Sequence, residues 1–220
     1  MSAIPVSAAE GYALWAETWD TTPSPIVALE ERMLAPWLEG LRPRRAIDVG
    51  CGTGRWSLRL NALGFDASEA MLRCAICKPG ALGRFAAADA TAVPVADASA
   101  DLVICALTLG HLGEPQRALR EFERILQPGG WLLLTDFHPQ AAAFGWRRTF
   151  RRDGLVYEVE NHPYTLTQLQ AAATKLVCRD SVDATIGEPE RPLFDQAGRP
   201  DLFEAACSRP SVWLSRWQRL

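Results

Sequence analysis

Short apolar runs alternate with amphipathic stretches through the middle of the chain, from residue 46 to residue 137. The runs 46–49 and 101–107 are almost continuously apolar, which is typical of strands buried on both faces of a parallel sheet. Residues 115–126 instead place apolar side chains three and four positions apart, the spacing of an amphipathic helix. Strands and helices that alternate at this interval predict an α/β fold with a doubly wound, mostly parallel sheet.

The individual elements follow from the same patterns. Strands are predicted at 46–49, 63–65, 84–88, 101–107 and 131–137, followed by an antiparallel pair at 178–186 and 211–217 that completes a seven-stranded sheet. Helices are predicted at 8–19, 25–41, 55–61, 68–77, 115–126 and 167–177. The dipeptide Asp153-Gly154 predicts the turn of a hairpin inserted after the fifth strand. Sheets of this kind bind ligands outside the carboxyl ends of their strands, so site residues are expected there.

Composition and charge exclude several classes of function but add little about the fold. The 220 residues fit one domain, 1–220, and the net charge of −3 gives no bulk attraction for nucleic acid or an anionic membrane. The first residues lack the basic and long apolar segments of a signal peptide, and no apolar run reaches about 18 residues, so a cytoplasmic protein is expected. The six cysteines are expected to be thiols, and the lone pair Cys74 and Cys77 is too few ligands for structural zinc, so no metal is predicted.

A glycine-rich turn follows the first strand of the alternating region. Gly50, Gly52 and Gly54 have the spacing GxGxG, one residue tighter than the GxGxxG of dinucleotide-binding turns. Asp48 places a carboxylate at the end of the strand, where it would repel a phosphate and attract an ammonium or sulfonium group. Both features disfavour a nicotinamide-dependent oxidoreductase, which stays open as a weaker alternative.

Four segments, the first of which contains this glycine turn, carry a family resemblance. The stretch AIDVGCGTG is followed by GFDASEAML, then by AADATAVPVADASADLVICAL, and finally by LQPGGWLLLTDF. Together they resemble the motifs of the class I S-adenosylmethionine-dependent methyltransferases, especially the branch that methylates small molecules. The resemblance covers residues 12–139 and implies a Rossmann-like fold, S-adenosylmethionine as cofactor and a small-molecule acceptor, with no nucleic-acid or membrane partner.

The resemblance also implies roles for particular residues. The glycines would approach the cofactor, Asp48 would hold its methionine end, Asp66 its ribose hydroxyls, and Asp89 and Ala90 its adenine. Aromatic residues of the first helix would fold over the site as a lid, although packing in the core accounts for them equally well. The implied cofactor-binding residues are Asp48, Gly50, Cys51, Gly52, Gly54, Asp66, Ala67, Asp89, Ala90, Leu107, Tyr12 and Trp19.

The resemblance also implies a role for each segment of the chain. Residues 1–41 would supply the N-terminal lid helices, residues 46–137 the cofactor-binding core, and residues 166–220 the final helix and strands. Residues 138–165 would form a hairpin cap over the acceptor. The arginine-rich stretch 146–152 within it has three interpretations: binding of an acidic substrate, stacking of RNA bases, or a solvated hairpin face whose arginines pair with nearby acids.

One departure from the family pattern concerns the link between the glycine turn and Asp66. Gly54 and Asp66 are only 12 positions apart, whereas the acid of the related dinucleotide fold follows about 20 residues on. Seven helical residues span roughly 10 Å and four extended residues roughly 13 Å, so the crossing is possible with a shortened second strand. The alternative is a degenerate fold, a catalytically inactive binding protein.

Histidines supply the candidate general bases, because several methyl acceptors must lose a proton when they attack. His111 follows the fourth predicted strand and His138 follows the fifth, so both are expected at the rim where chemistry occurs. A structural role for either residue remains an alternative. The sequence therefore predicts methylation of oxygen, nitrogen or carbon on a small molecule by direct displacement, without identifying the acceptor.

Overall fold

The computed structural model describes residues 3–220. Its elements in chain order are β1 (Ile4–Val6), α1 (Ala8–Trp15), α2 (Pro25–Glu39), β2 (Ala46–Val49), α3 (Arg55–Leu60), β3 (Leu63–Asp66), α4 (Glu69–Ile76), β4 (Phe85–Ala87), β5 (Ala100–Ala106), α5 (Pro115–Ile125), β6 (Leu126–Phe137), α6 (Pro139–Ala143), β7 (Thr149–Arg152), β8 (Leu155–Val159), α7 (Leu166–Ala172), β9 (Leu176–Thr185), α8 (Arg191–Gln196), α9 (Phe203–Cys207) and β10 (Pro210–Arg219).

The main sheet has seven strands in the order β4-β3-β2-β5-β6-β10-β9. Strands β2 to β6 run parallel, and β10 lies antiparallel between β6 and β9. Both faces are covered: α5 and α7 pack on one face, and α2 and α3 contribute to the core on the other. The predicted doubly wound, mostly parallel sheet is confirmed.

The short crossover between β2 and β3 is built from one and a half helical turns. Helix α3 has six residues and ends at Asn61, whose φ of 56° lies in the left-handed region and turns the chain back. Strand β3 then pairs in parallel with β2 over three residue pairs. A Cβ at Gly64 would lie 2.6 Å from the ring of Phe85 and 2.7 Å from Oγ of Ser57, so only glycine lets α3 and β4 pack this closely on β3.

Several boundaries differ from the sequence predictions. The first helix ends at Trp15 and continues as a 3-10 turn over Ala16–Thr21, although Tyr12, Trp15 and Trp19 do form one aromatic cluster. The prediction that α7 extends to residue 177 is wrong: it ends at Ala172, because the chain from residue 176 is already paired with β10. Helices α8 and α9 were not predicted from the sequence.

A second, three-stranded sheet has the order β1-β8-β7. Strands β7 and β8 form the predicted hairpin, with Asp153 and Gly154 both at positive φ in its turn. Strand β1 was not predicted, and it pairs in parallel with β8 through Ile4↔Tyr157, Pro5↔Glu158 and Val6↔Val159. The first residues of the described chain are therefore fixed to the hairpin, about 150 positions away in sequence.

Three further features of the described residues concern cysteines, membrane crossing and metal binding. All six cysteines are free, as expected. Among residues 3–220, no helix combines the length and the apolar character that a membrane crossing requires. Within the same residues, no group of three or more His, Cys, Asp or Glu side chains is placed to hold a metal ion.

Candidate active site

The glycine turn begins where β2 ends and is bonded directly to β3. The N–H groups of Gly50 and Cys51 both donate to the carbonyl of Phe65, at 2.7 and 3.1 Å. Gly50 has a φ of +73°, and a Cβ there would lie 2.2 Å from Cγ2 of Thr108. Glycine is therefore required at this position on two counts, backbone conformation and the close approach of the chain that follows β5.

Asp66, at the carboxyl end of β3, is held against the same turn. One carboxylate oxygen accepts from the N–H of Gly52 at 2.7 Å, and the other accepts from the N–H of Ser68 at 2.8 Å. Burial raises the pKa of this carboxyl, and the two backbone donors oppose that rise. The twelve-residue link is thus long enough to bring the acid to the glycine turn.

Asp48, on β2, is almost fully buried beneath the turn. The hydroxyl of Ser57 on α3 donates to its carboxylate at 2.6 Å. Burial raises the pKa of Asp48 to about 7, although the bond from Ser57 lowers it. A cationic group arriving beside Asp48 would therefore favour loss of its proton near neutral pH.

A cavity of about 550 Å³ opens above these residues, and we call it the cofactor cavity. It brings together His111 and all of the predicted cofactor-binding residues except Gly54: Asp48, Gly50, Cys51, Gly52, Asp66, Ala67, Asp89, Ala90, Leu107, Tyr12 and Trp19. Gly54 lies instead at the start of α3, where a Cβ would be 2.6 Å from the ring of Phe85. Glycine is required there by the contact with Phe85 and by a φ of +83°. The residue does not line the cavity.

The far side of the cavity is closed by Tyr12 and His111. Nδ1 of His111 lies 2.9 Å from the backbone oxygen of Glu160, which can only accept, so Nδ1 carries the proton. Nε2 is then an acceptor, and Oη of Tyr12 donates to it at 2.8 Å. Burial, followed by the charge of Arg148, lowers the pKa of His111 to about 3. The imidazole is neutral at physiological pH, and both of its nitrogens are engaged.

The second predicted base lies elsewhere. His138 caps the short helix α6, with Nδ1 accepting from the N–H of Gln140 at 3.1 Å. Its Nε2 lies 3.4 Å from a carboxylate oxygen of Asp183 on β9. The side chain does not line the cofactor cavity, so the structure does not bring His138 together with His111.

Arg148 contacts this cluster from the segment that precedes β7. Its guanidinium donates to Oη of Tyr12 at 3.1 Å, to the carbonyl of Leu107 at 2.9 Å, and to Asp136 at 3.2 Å. The carboxylate of Asp136 also accepts from the N–H groups of Gly110 and Phe137. Arg148 was visible in sequence only as one member of an arginine-rich stretch.

The other arginines of that stretch show which interpretation fits. Arg147 lies 3.5 Å from Glu158, and Arg152 lies within 4 Å of both Glu17 and Asp153. Arg148 is paired with the buried Asp136. Three of the four arginines in the stretch are therefore matched by acids of the same protein, which favours the hairpin-face interpretation over selection of an acidic substrate.

Several residues of the cofactor-cavity wall were not predicted from the sequence. Thr53, Arg55, Trp56 and Met71 also line the cofactor cavity. Arg55 and Trp56 are held from behind by Glu30, a fully buried glutamate of α2 that accepts from Arg55 at 2.5 Å and from Nε1 of Trp56 at 3.2 Å. Burial raises the pKa of Glu30, and Arg55 opposes this. A glutamate in an amphipathic helix is expected to be solvent-exposed, so the sequence does not predict that Glu30 is buried behind the site.

A second cavity, of about 670 Å³, lies between the hairpin, β1 and the end of β6. Apolar walls come from Val6, Phe137, Trp146 and Val159, with Arg147, Glu158 and Glu160 among the charged groups. Arg148 lines this cavity while it bonds Tyr12 and Leu107 of the cofactor cavity. The side chains of Arg148 and Tyr12, which are hydrogen-bonded to each other, thus separate the two cavities.

Comparison with known proteins agrees with this geometry. Residues 47–134 match a family model described as a methyltransferase domain. The chain is 37% identical over 110 residues to a demethylmenaquinone methyltransferase of Deinococcus radiodurans, a match that covers 46% of each chain. It is 32% identical over 133 residues to a malonyl-[acyl-carrier protein] O-methyltransferase of Hahella chejuensis, covering 57% of this chain and 47% of that one. The chain spans about half the length of these curated relatives.

A solved structure extends the likeness in fold. The S-adenosylmethionine-dependent methyltransferase from Mesorhizobium loti superposes with a TM-score of 0.64 at 21% identity, and the match covers 87% of this chain and 100% of that one. At this identity the similarity concerns the fold.

S-adenosylmethionine is the cofactor of this family, and the cofactor cavity fits it. Asp48 supplies an anion for a cationic centre, and Asp66 has carboxylate lone pairs beyond those used by Gly52 and Ser68 for a diol. Ala67, Ala90 and Leu107 supply apolar surface for a purine. The glycine turn, the acid, the apolar slot and the methyltransferase domain matched over residues 47–134 agree with the resemblance to the class I S-adenosylmethionine-dependent methyltransferases, whose fold the chain shares.

Proposed function

We propose that the protein transfers a methyl group from S-adenosylmethionine to oxygen, nitrogen or carbon of a small molecule. The observation that carries this proposal is the cofactor cavity itself, where the glycine turn, Asp48, Asp66, Tyr12 and His111 line one space of about 550 Å³. The donor is already activated as a sulfonium, so alignment with the acceptor and exclusion of water supply much of the acceleration.

Three carboxylates are assigned to binding the cofactor. Asp48 holds the cationic methionine end and Asp66 the ribose hydroxyls. Asp89 meets the adenine amine, and its carboxylate is oriented by the N–H and hydroxyl of Thr91, both at 2.7 Å. These two bonds lower the pKa of Asp89, which keeps it an acceptor at neutral pH. When bound, the cofactor supplies the methyl group, and the residues around it supply position.

The apolar body of the acceptor is proposed to occupy the second cavity, with its reacting group reaching beside Arg148 to Tyr12 in the cofactor cavity. The walls of this cavity come largely from residues 142–163, the segment predicted to form a substrate cap, and its apolar surfaces suit an acceptor with an apolar body. The two curated relatives carry different acceptors in their names, a demethylmenaquinone and a malonyl-carrier protein. The pairing of the local arginines with acids speaks against selection by a free carboxylate.

We assign removal of the acceptor's proton to neither His111 nor His138 acting as a free base. His111 is neutral with both nitrogens engaged, and His138 lies outside the cavity. Tyr12 Oη accepts from Arg148 and donates to His111, which leaves one lone pair of the phenol for an acceptor X–H group. We propose that Tyr12, held by His111 and Arg148, accepts a hydrogen bond from this X–H group and orients it for attack.

The alternative of an inactive binding protein rested on the short link to Asp66. That link delivers the carboxylate to the N–H of Gly52, which supports an active site with a working ribose contact. The alternative still makes a separate prediction, since an inactive protein would bind cofactor without consuming it.

Isothermal titration calorimetry with S-adenosylhomocysteine tests the cofactor, after mass spectrometry has shown that none is already bound. Micromolar or tighter binding is expected, and a folded protein that does not bind would refute the proposal. Turnover is tested with methyl-tritiated S-adenosylmethionine and a panel of phenols, amines, hydroquinones and carboxylic acids. Transfer of label to one class would also identify the acceptor atom.

A further inference from the structure

Arg148 is the residue that joins three separate parts of the site. Its side chain is only 11% exposed, and it enters from the loop between α6 and β7. One terminal nitrogen donates both to Oη of Tyr12 and to the carbonyl of Leu107, and the other donates to Asp136. The three partners belong to α1, to the end of β5 and to β6.

The pairing of Arg148 with Asp136 accounts for its charge but not for its contact with Tyr12. Asp136 is 4% exposed and takes two backbone N–H donors, from Gly110 at 2.6 Å and Phe137 at 2.7 Å, besides the guanidinium. The ion pair is therefore complete without the phenol. The bond from Arg148 to Tyr12 is an additional contact, and it reaches from the hairpin segment to the first helix.

The contact determines the orientation of the Tyr12 hydroxyl. His111 must accept at Nε2, because its Nδ1–H is bonded to the carbonyl of Glu160. Oη of Tyr12 therefore donates to His111 and accepts from Arg148, and these two bonds fix both its position and the direction of its proton. Leu107 has a φ of 55°, a left-handed conformation rare for leucine, and its carbonyl also receives a bond from Arg148.

Helix α1 packs on the hairpin sheet as well as on α4. A Cβ at Gly11 would lie 2.8 Å from Cγ2 of Val159, so the helix backbone lies directly on β8. Trp15 stacks on Phe150 of β7 with ring centroids 4.7 Å apart. Strand β1 continues the hairpin sheet immediately before α1. We call residues 8–21, which close one side of the cofactor cavity, the lid.

We propose that Arg148 is a positioning residue through which the hairpin segment holds Tyr12 of the lid over the methyl-transfer end of the cofactor cavity. The proposal rests on the proposed function, because it gives Arg148 a task in cofactor retention and alignment. Arg148 lines the second cavity as well, so a molecule bound there acts on the same guanidinium that holds the lid. Occupancy of the two cavities is thereby coupled.

The rate at which S-adenosylhomocysteine leaves the protein tests this assignment. Trp19 and Trp56 line the cofactor cavity, so stopped-flow tryptophan fluorescence reports release directly. Arg148→Lys keeps a cation beside Asp136 but cannot form the forked contact with Tyr12 and Leu107. Release about tenfold faster or more is expected, with thermal stability near that of the wild type. Arg151→Lys, at an exposed arginine of β7 that lines neither cavity, is the control and should change release by less than twofold.

A double-mutant cycle separates positioning from general packing. If Arg148 acts through Tyr12, Arg148→Lys combined with Tyr12→Phe should release the ligand no faster than the faster single variant. Guanidinium ion should slow release from Arg148→Ala and leave Tyr12→Phe unchanged, which a packing defect would not show. Additive effects, or release by folded Arg148→Lys within twofold of the wild type, would overturn the proposal.

Hydrogen exchange in the ligand-free protein keeps this test independent of the proposed function. The amides of residues 8–15 should exchange faster in Arg148→Lys than in the wild type, while those of β5 and β6 should be unchanged. A wild-type protein that binds no S-adenosylhomocysteine would refute the proposed function, and hydrogen exchange alone would then decide the positioning role. Unchanged exchange over residues 8–15 in folded Arg148→Lys would refute that role.

Discussion

Replacing Asp66 by alanine tests whether the short crossover builds a working nucleotide site. The carboxylate accepts from the N–H groups of Gly52 and Ser68, at 2.7 and 2.8 Å, and is assigned the ribose hydroxyls of the cofactor. A hydrogen bond to a charged group contributes about 1–3 kcal/mol to binding, so the dissociation constant for S-adenosylhomocysteine should rise roughly 5- to 150-fold.

The effect of Asp66→Ala on stability has a different size and a separate cause. The variant loses an acceptor for two backbone N–H groups, but water in the half-open cavity replaces part of that bonding. Removing the carboxylate also removes the cost of burying it, which is the reason its pKa is raised. The free energy of unfolding should therefore fall by at most about 2 kcal/mol, and the variant should remain folded.

Calorimetry and denaturant unfolding together separate the two effects. Both are measured on the wild type, on Asp66→Ala and on Asp97→Ala, whose 79%-exposed carboxylate pairs with Arg124 away from the cavity. The control should bind S-adenosylhomocysteine like the wild type. If folded Asp66→Ala binds with a dissociation constant within twofold of the wild type, the reasoning about Asp66 fails, and the shortened strand has lost the ribose contact.

Three other predictions follow from single residues. Because the pKa of Asp48 is about 7 in the folded chain and 3.8 ordinarily, its contribution to stability is complete below about pH 4 and is lost as the pH rises through 7. Urea unfolding should show a loss of about 2 kcal/mol between pH 5.5 and 8.5 that is absent in Asp48→Asn. Gly50→Ala, which meets Thr108 at 2.2 Å, should cost about 3 kcal/mol or more, and a cost equal to that of Gly80→Ala, which has positive φ but open space, would contradict the steric argument. The ring proton signals of His111, with a pKa of about 3, should not shift between pH 5 and 8 by NMR, and a titration near 6.5 would show that its burial is misjudged.

The strands of the main sheet could be predicted because each is a short apolar run bounded by a turn. Strand β1 could not, since it has three residues including Pro5 and gains its structure only by pairing with β8. The end of α7 was placed too late for a related reason. Residues 176 and 177 continue a helical pattern, and their pairing with β10 overrides it.

The candidate site divides in the same way. The residues that line the cofactor cavity follow strand ends and motifs, so the family resemblance was enough to select Asp48, Asp66 and Leu107. The network behind them depends on contacts between distant segments: Glu30 reaches Arg55, and Arg148 reaches Tyr12. The backbone oxygen of Glu160, which sets the tautomer of His111, is independent of side-chain type and leaves no trace in a sequence.

The sheet β1-β8-β7 has a consequence for how such a protein can diversify. The lid that faces the cofactor and the hairpin that faces the second cavity are a single folded module made from the two regions 4–22 and 144–165. Exchanging the hairpin alone between relatives would leave β1 unpaired and Trp15 without Phe150. Acceptor specificity would therefore be transplanted by grafting both regions together, and mutations that retune it are expected to arise as correlated pairs across that gap.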